Sequence, residues 1–292
     1  MLFRSALLLV VAVVSILLGL SVYGPEKGWT SSFTIIVLVI GVLFTILFLA
    51  WERTAVEPII PLTLFKNHTF SLTSILGFII GAGMFGAIVM LPLYLQVVKV
   101  NSATQAGLKL IPLMLGIVSM TITSGRIISK TGKYKKFPLI GTLLMSLGLL
   151  LMTRLGIETP YWQLSIYAII VGMGLGLSMQ TIVIALQNDI DFKDLGVATS
   201  GNTFFRSLGG AFGTAIFGTI LTDQVTKNMK SGFTEFAKAN PAVASQIDPA
   251  AIGSLTSNTS GIAQLPEAVK TVVLTAFTDA FHVVFIAAAP VT

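Results

Sequence analysis

The chain has 292 residues, of which 54% are hydrophobic and only 10% charged, with a mean hydropathy of +0.90. A soluble domain carries about 25% charged residues, so this balance makes lipid the solvent and argues against a water-soluble enzyme or carrier. The net charge of +6 is spread between apolar runs rather than gathered into a stripe, which argues against a nucleic-acid face. Absent cysteine and two distant histidines, His68 and His282, leave no basis for disulfides, thiolate chemistry, iron–sulfur clusters or a zinc site, and no cofactor is expected.

In chain order, the first element is an apolar run at 5–22 behind Arg4. It reads either as a signal peptide with a small-residue site at Gly19-Leu-Ser21 or as a membrane span. Its length, and the further spans directly after it, favour the span. Six more complete spans of about 20 apolar residues follow at 33–51, 71–95, 107–128, 137–154, 162–186 and 197–222. An eighth begins near Thr271 and is still apolar at Thr292, where the expectation is a truncated last helix. The runs are too long and too weakly alternating for a barrel. Between the fourth and fifth spans lie Arg126, Lys130, Lys133, Lys135 and Lys136. Placing that turn in the cytoplasm by the positive-inside rule also puts Arg4, Arg53, Lys66 and Lys193 inside. Segment 223–270, with Pro241, Pro249 and Pro266, reads as an external loop with short helices near 231–239 and 264–270.

Glycines four residues apart mark helix faces that permit close approach in lipid. They are Gly77 and Gly81, Gly172 and Gly176, and Gly209 and Gly213. Each pair alone reads as static packing; three in one bundle point to helices able to rock on one another. Arg206 lies inside the span 197–222, where a cation is costly and faces the bundle interior, a cavity or, by snorkelling, the interface. Asp279 is a possible proton carrier or simply sits near the outer end of the last span. Met84, Tyr94, Gln180 and Asn202 place soft, aromatic or amide groups inside spans, a lining suited to varied apolar ligands. Taken singly, each is ordinary packing. Phosphate loops, Gly-x-Ser-x-Gly, His-Glu-x-x-His and EF-hand patterns are missing, as is any carboxylate pair within a span. No enzyme chemistry is expected.

The turn Gly125-Arg126-Ile-Ile-Ser129-Lys130-Thr-Gly132-Lys133 resembles the gating-loop signature of the major facilitator superfamily. Gly125, Lys130, Gly132 and Lys133 match, and Ser129 stands where that signature has an acid. Glu57-Pro-Ile-Ile-Pro61, Leu91-Pro92-Leu-Tyr94-Leu-Gln96, Ala106-Gly107, Ile111-Pro112 and Ser200-Gly-Asn202-Thr-Phe-Phe-Arg206-Ser-Leu-Gly209-Gly210 are similar in order and spacing to fourteen-helix drug:proton antiporters of the EmrB/QacA type. The resemblance implies an all-α integral membrane protein, a facilitator-like bundle comprising a C-terminal half plus two linker helices. Residues 1–70 would then hold the linker helices and a cytoplasmic link, and 71–292 a six-helix bundle of two inverted three-helix repeats.

It further implies proton-coupled export of drugs or other amphipathic molecules by alternating access, in the cytoplasmic membrane. The expected partners are the lipid bilayer, a hydrophobic or cationic small-molecule substrate, protons, and a missing N-terminal bundle holding the proton-binding acids. The alternatives are a same-fold exporter of a lipid, siderophore or metabolite, and a non-transporting membrane half-protein or scaffold. A membrane-embedded enzyme is the remote alternative.

Overall fold

A computed structural model describes residues 2–55, 58–59, 61–239 and 266–292. The elements are α1 (Leu2–Leu18), a π-helical turn (Gly19–Tyr23), α2 (Gly24–Lys27), α3 (Ser32–Glu52), a 3-10 turn (Leu62–Lys66), α4 (His68–Val97), α5 (Ala103–Leu108), α6 (Ile111–Thr131), α7 (Phe137–Met152), α8 (Tyr161–Asp189), α9 (Leu195–Ala239) and α10 (Glu267–Ala288). Among the described residues there is no strand. Six helical stretches are long and apolar enough to cross a membrane, and two shorter apolar helices lie within α1 and α7. Their outward faces carry exposed large apolar side chains, such as Val10 and Val14 on α1, Val39 and Ile46 on α3, and Leu139, Leu143 and Leu147 on α7. Such surface would drive aggregation in water but is at home against acyl chains. The protein is a multi-pass membrane bundle.

The first module is the α1–α3 hairpin. Gly41 of α3 faces Ala12 and Ile16 of α1 so closely that an added methyl would lie 3.0 Å from the Ile16 backbone nitrogen. At one end the Ser5 hydroxyl donates to the buried Glu52 carboxylate at 2.7 Å. At the other, Thr34 donates to the carbonyls of Tyr23 and Gly28 at 3.1 and 3.0 Å.

The second module is the bundle α4–α10. The Asn67 side chain caps α4 by accepting from the Phe70 N–H at 2.9 Å, satisfying one of the orphan donors at a helix start. Helix α4 packs on α9, and α6 packs on α8. The first helix of each three-helix set therefore lies on the second helix of the other, the pairing an inverted repeat requires. Helix α7 covers α8, and α10 covers α9 and α4. At the end opposite the α6–α7 turn, α4 and α10 are clamped to the α7–α8 loop. Tyr94 Oη donates to the Gly156 carbonyl at 2.8 Å, Lys99 Nζ to the carbonyls of Ile157 and Thr159, and His282 Nε2 to that of Leu155 at 2.6 Å. Desolvation by burial, and then the neighbouring Lys109, lower the Lys99 pKa, against a smaller opposing pull from Glu158.

Three boundaries differ from the sequence expectation. The run 107–128 is broken at Lys109-Leu110: Ser102 and Gln105 form a capping box that starts α5, and Pro112 opens α6. Helix α9 does not stop at 222 but continues unbroken through 239. Its 45 residues reach about 67 Å, twice the ~30 Å hydrocarbon core. Beyond the apolar run, a stripe of Leu221, Val225 and Met229 stays buried, with α10 packed on α9 and Asn228 donating to the Ala276 carbonyl at 3.2 Å. That stripe sustains the helix where hydropathy falls. The helix expected near 231–239 is thus the end of α9, and α10 begins at Glu267 rather than near Thr271. Residues 240–265, including most of the expected loop, lie outside the described residues.

Candidate functional site

The glycine pairs decide how closely the helices approach. A methyl group at Gly81 or Gly209 would overlap the backbone carbonyl of Arg206 or Phe78, and one at Gly213 would come within 2.6 Å of the Ala82 carbonyl. The α4–α9 seam is therefore backbone against backbone. The α6–α8 seam is built alike: a methyl at Gly172 or Gly176 would overlap the carbonyl of Leu113 or Ile117. Gly77 faces the Asn202 amide, whose nitrogen would lie 3.0 Å from an added methyl.

These seams aim the polar side chains. Asn202 is buried, and its Nδ2 donates to the Thr73 carbonyl at 2.7 Å, so it ties α9 to α4. Tyr94 has no exposed surface; besides its bond to Gly156, its ring meets Phe281 edge-on at 5.7 Å. Met84, one turn beyond Gly81 on α4, is half-buried against the core. Gln180 of α8 shares an open groove of about 490 Å³ with Thr121, Gly125, Arg126, Ser129 and Lys130 of α6. The remaining residues of the expected gating loop follow directly: Gly132 ends α6 in a left-handed conformation (φ 67°), and Lys133 is exposed. Among the described residues, Arg126, Lys130 and Lys133 make no ion pair.

A second groove, about 640 Å³, opens at the α8–α9 corner, lined by Gln187, Phe192, Thr199, Ser200 and Thr203. Gln180 and Gln187 are seven residues apart on one stripe of α8, while Thr199, Thr203 and Arg206 follow an i, i+4, i+7 stripe on α9. Arg206 is half-exposed, and among the described residues its guanidinium has no hydrogen-bond or ion-pair partner. The structure brings Gln180, Gly125, Arg126 and Lys130 together and places Arg206 at the edge of the α4–α9 seam, beside the threonine stripe. It does not bring Tyr94 to that face. The threonines and Gln187 escaped notice because hydroxyls and amides near a span end read as interface residues; their spacing to Arg206 and Gln180 was the available signal. No group of three or more metal-ligating side chains occurs among the described residues.

A face of amides, hydroxyls and cations without an ion-pair partner among the described residues matches a membrane transporter's wall better than a reaction centre. Residues 1–214 match the family model described as the Major Facilitator Superfamily. The chain belongs to the major facilitator superfamily. Among curated members, it is 36% identical over 291 residues to an MFS-type transporter of Mycobacterium tuberculosis, covering 99% of this chain and 40% of that one. It is 33% identical over 265 residues to the multidrug transporter protein MdtP of Bacillus subtilis, covering 90% and 49%. It is 35% identical over 199 residues to a tetracycline resistance determinant of Streptomyces rimosus, covering 68% and 57%. The chain thus spans about 40–50% of the length of the first two relatives. Within this facilitator fold, the two grooves lie on the three helices α6, α8 and α9 or their ends, and membership of a transporter family accounts for the missing enzyme patterns.

Proposed function

We propose that the chain is the C-terminal part of a fourteen-helix drug:proton antiporter of the EmrB/QacA type, exporting drugs or other amphipathic molecules across the cytoplasmic membrane. In this reading α1 and α3 are the linker helices, α4–α10 form the C-terminal bundle, and an N-terminal bundle carrying the proton-binding acids closes over the grooves. The α6–α7 turn lies in the cytoplasm. Transport proceeds by alternating access, the two bundles rocking about a central site while inward proton flow drives export.

The observation that carries this proposal is the uncovered face itself. Gln180, Gln187, Thr199, Thr203 and Arg206 lie half-buried or exposed where no described helix covers them, on helices held by glycine seams. A cationic or neutral amphipathic cargo would meet amide and hydroxyl groups here, and Met84 at the α4 margin. Among the described residues Arg206 has no ion-pair partner, so its charge would be matched by a carboxylate from the N-terminal bundle. Relatives named for multidrug transport and tetracycline resistance support the cargo class.

The test is a chimera in which this chain replaces the matching segment of the B. subtilis multidrug transporter. Cells carrying it should extrude ethidium, and a protonophore should abolish the extrusion. Full insertion at wild-type abundance without any efflux from a panel of cationic and neutral drugs would overturn the drug-export reading.

A further inference from the structure

Between the α1–α3 hairpin and the bundle lies a partly open cavity of about 210 Å³. Its walls come from α1 (Leu9, Val13), α3 (Phe48), the link (Phe65) and α9 (Phe205, Phe212). The one hydroxyl in its lining, Thr45, donates to the Gly41 carbonyl of its own helix at 2.8 Å, so the cavity offers neither a charge nor a free polar atom. Water needs two to four polar partners to occupy such a space, whereas apolar cavities of about 150 Å³ stay dry and take up hydrocarbons.

The cavity is a feature of the seam. Inside the hairpin, α1 and α3 touch backbone to side chain at Gly41 and Gly19; against the bundle, the hairpin rests on α9 chiefly through the π-helical turn 19–23. The bundle side is a stiff wall, because Phe65 meets Phe70 and Phe205 edge-on at 5.0 and 5.9 Å and Phe205 meets Phe204 at 5.5 Å. The cavity lies in the leaflet at the α6–α7 end. The 3-10 link sits at that end, Phe204–Phe212 belong to the early turns of α9, and Phe48 is one turn from the end of α3. Next to the lining in sequence, Arg53 stands one turn past the lining residue Leu49, and Lys66 directly follows the lining residue Phe65. Both are exposed, and among the described residues neither has an ion-pair partner.

We propose that this cavity is a phospholipid site, holding one acyl chain of an anionic phospholipid whose headgroup is met by Arg53 and Lys66. The chain fills a space that neither water nor the protein fills, and the phosphate brings charge to two cations that lack it. The occupant glues the hairpin to the bundle and is distinct from any transported cargo, which would face the opposite side of α9.

The full chain is reconstituted in vesicles containing phosphatidylglycerol or phosphatidylcholine with a diazirine on the acyl chain, irradiated, and the adducts mapped. The proposal expects adducts on segments 9–16 and 204–212, several-fold more with phosphatidylglycerol than with phosphatidylcholine at equal mole fraction. Val13→Phe, which fills the cavity, should remove adducts from 204–212 while leaving those on Leu139–Leu147 of the lipid-facing α7 unchanged; that α7 signal also reports insertion. Should Val13→Phe fail to insert, Leu208→Phe replaces it. Arg53→Gln with Lys66→Gln should erase the preference between the two lipids. No adduct at 204–212 in the unaltered chain, equal labelling by both lipids, or undiminished labelling in an inserted cavity-filled variant each overturns the proposal.

Discussion

At the residue scale, two side chains carry testable consequences. Arg206 sits half-exposed beside Thr199 and Thr203, without a described partner, whereas the amide of Asn202, one turn away, is consumed by the Thr73 carbonyl. A cation with no hydrogen-bond or ion-pair partner among the described residues is available to a ligand or an incoming carboxylate. Arg206→Ala in the chimera should therefore lower ethidium extrusion at least tenfold while leaving membrane abundance unchanged. Unaltered drug resistance at equal expression would assign Arg206 to packing instead. Lys99 is the opposite case, because its ammonium holds the α7–α8 loop to the end of α4 through two carbonyls. Lys99→Met leaves those acceptors without that donor, and a hydrogen bond from a charged group contributes about 1.5–3 kcal/mol. A drop of several degrees in the thermal unfolding midpoint in detergent is expected, with insertion preserved.

At the scale of elements, the seams set the limits on substitution. Gly176 lies against the Ile117 carbonyl, so Gly176→Leu must push α6 from α8, at a cost of about 1–3 kcal/mol for overpacking. Gly218 of α9 has nothing within 4 Å of where a methyl would stand. Gly218→Ala should then be neutral or stabilise the helix by up to about 1 kcal/mol. Unfolding of the two variants, measured side by side, separates close approach from a general aversion to side chains on these helices.

The spans and the spacing of these glycines were legible in the sequence, because lipid imposes length and because small residues four apart share a face. The reach of α9 was not: a hydropathy reading ends at the last apolar run, while the helix persists on the narrower stripe Leu221–Val225–Met229. The break between α5 and α6 was legible in principle from Ser102, Gln105 and Pro112. Nor was the hairpin–bundle cavity foreseeable, since it arises from phenylalanines of distant segments whose convergence only the fold supplies.

At the scale of the whole molecule, the account is a topology. Among the described residues eight apolar helical stretches are fit to cross or enter lipid, and in the proposed reading the α6–α7 turn, with Arg126, Lys130, Lys133, Lys135 and Lys136, marks the cytoplasmic end. The short connections at the opposite end carry Lys27, Lys99, Lys109 and Arg154, and the paired ends of α9 and α10 add Lys227, Lys230, Lys238 and Lys270. The cation balance is therefore set by the short loops, which are the ones that obey the orientation rule. Everything assigned to the grooves, from the gating turn to the direction of export, follows from which end faces the cell interior.

Because the chain contains no cysteine, one introduced thiol reports that directly. Lys135→Cys is expressed in cells and treated with a membrane-impermeant maleimide before and after the cells are opened. The account predicts labelling only after opening, with Thr159→Cys in the α7–α8 loop labelled in intact cells. Labelling of Lys135→Cys from outside intact cells would contradict it.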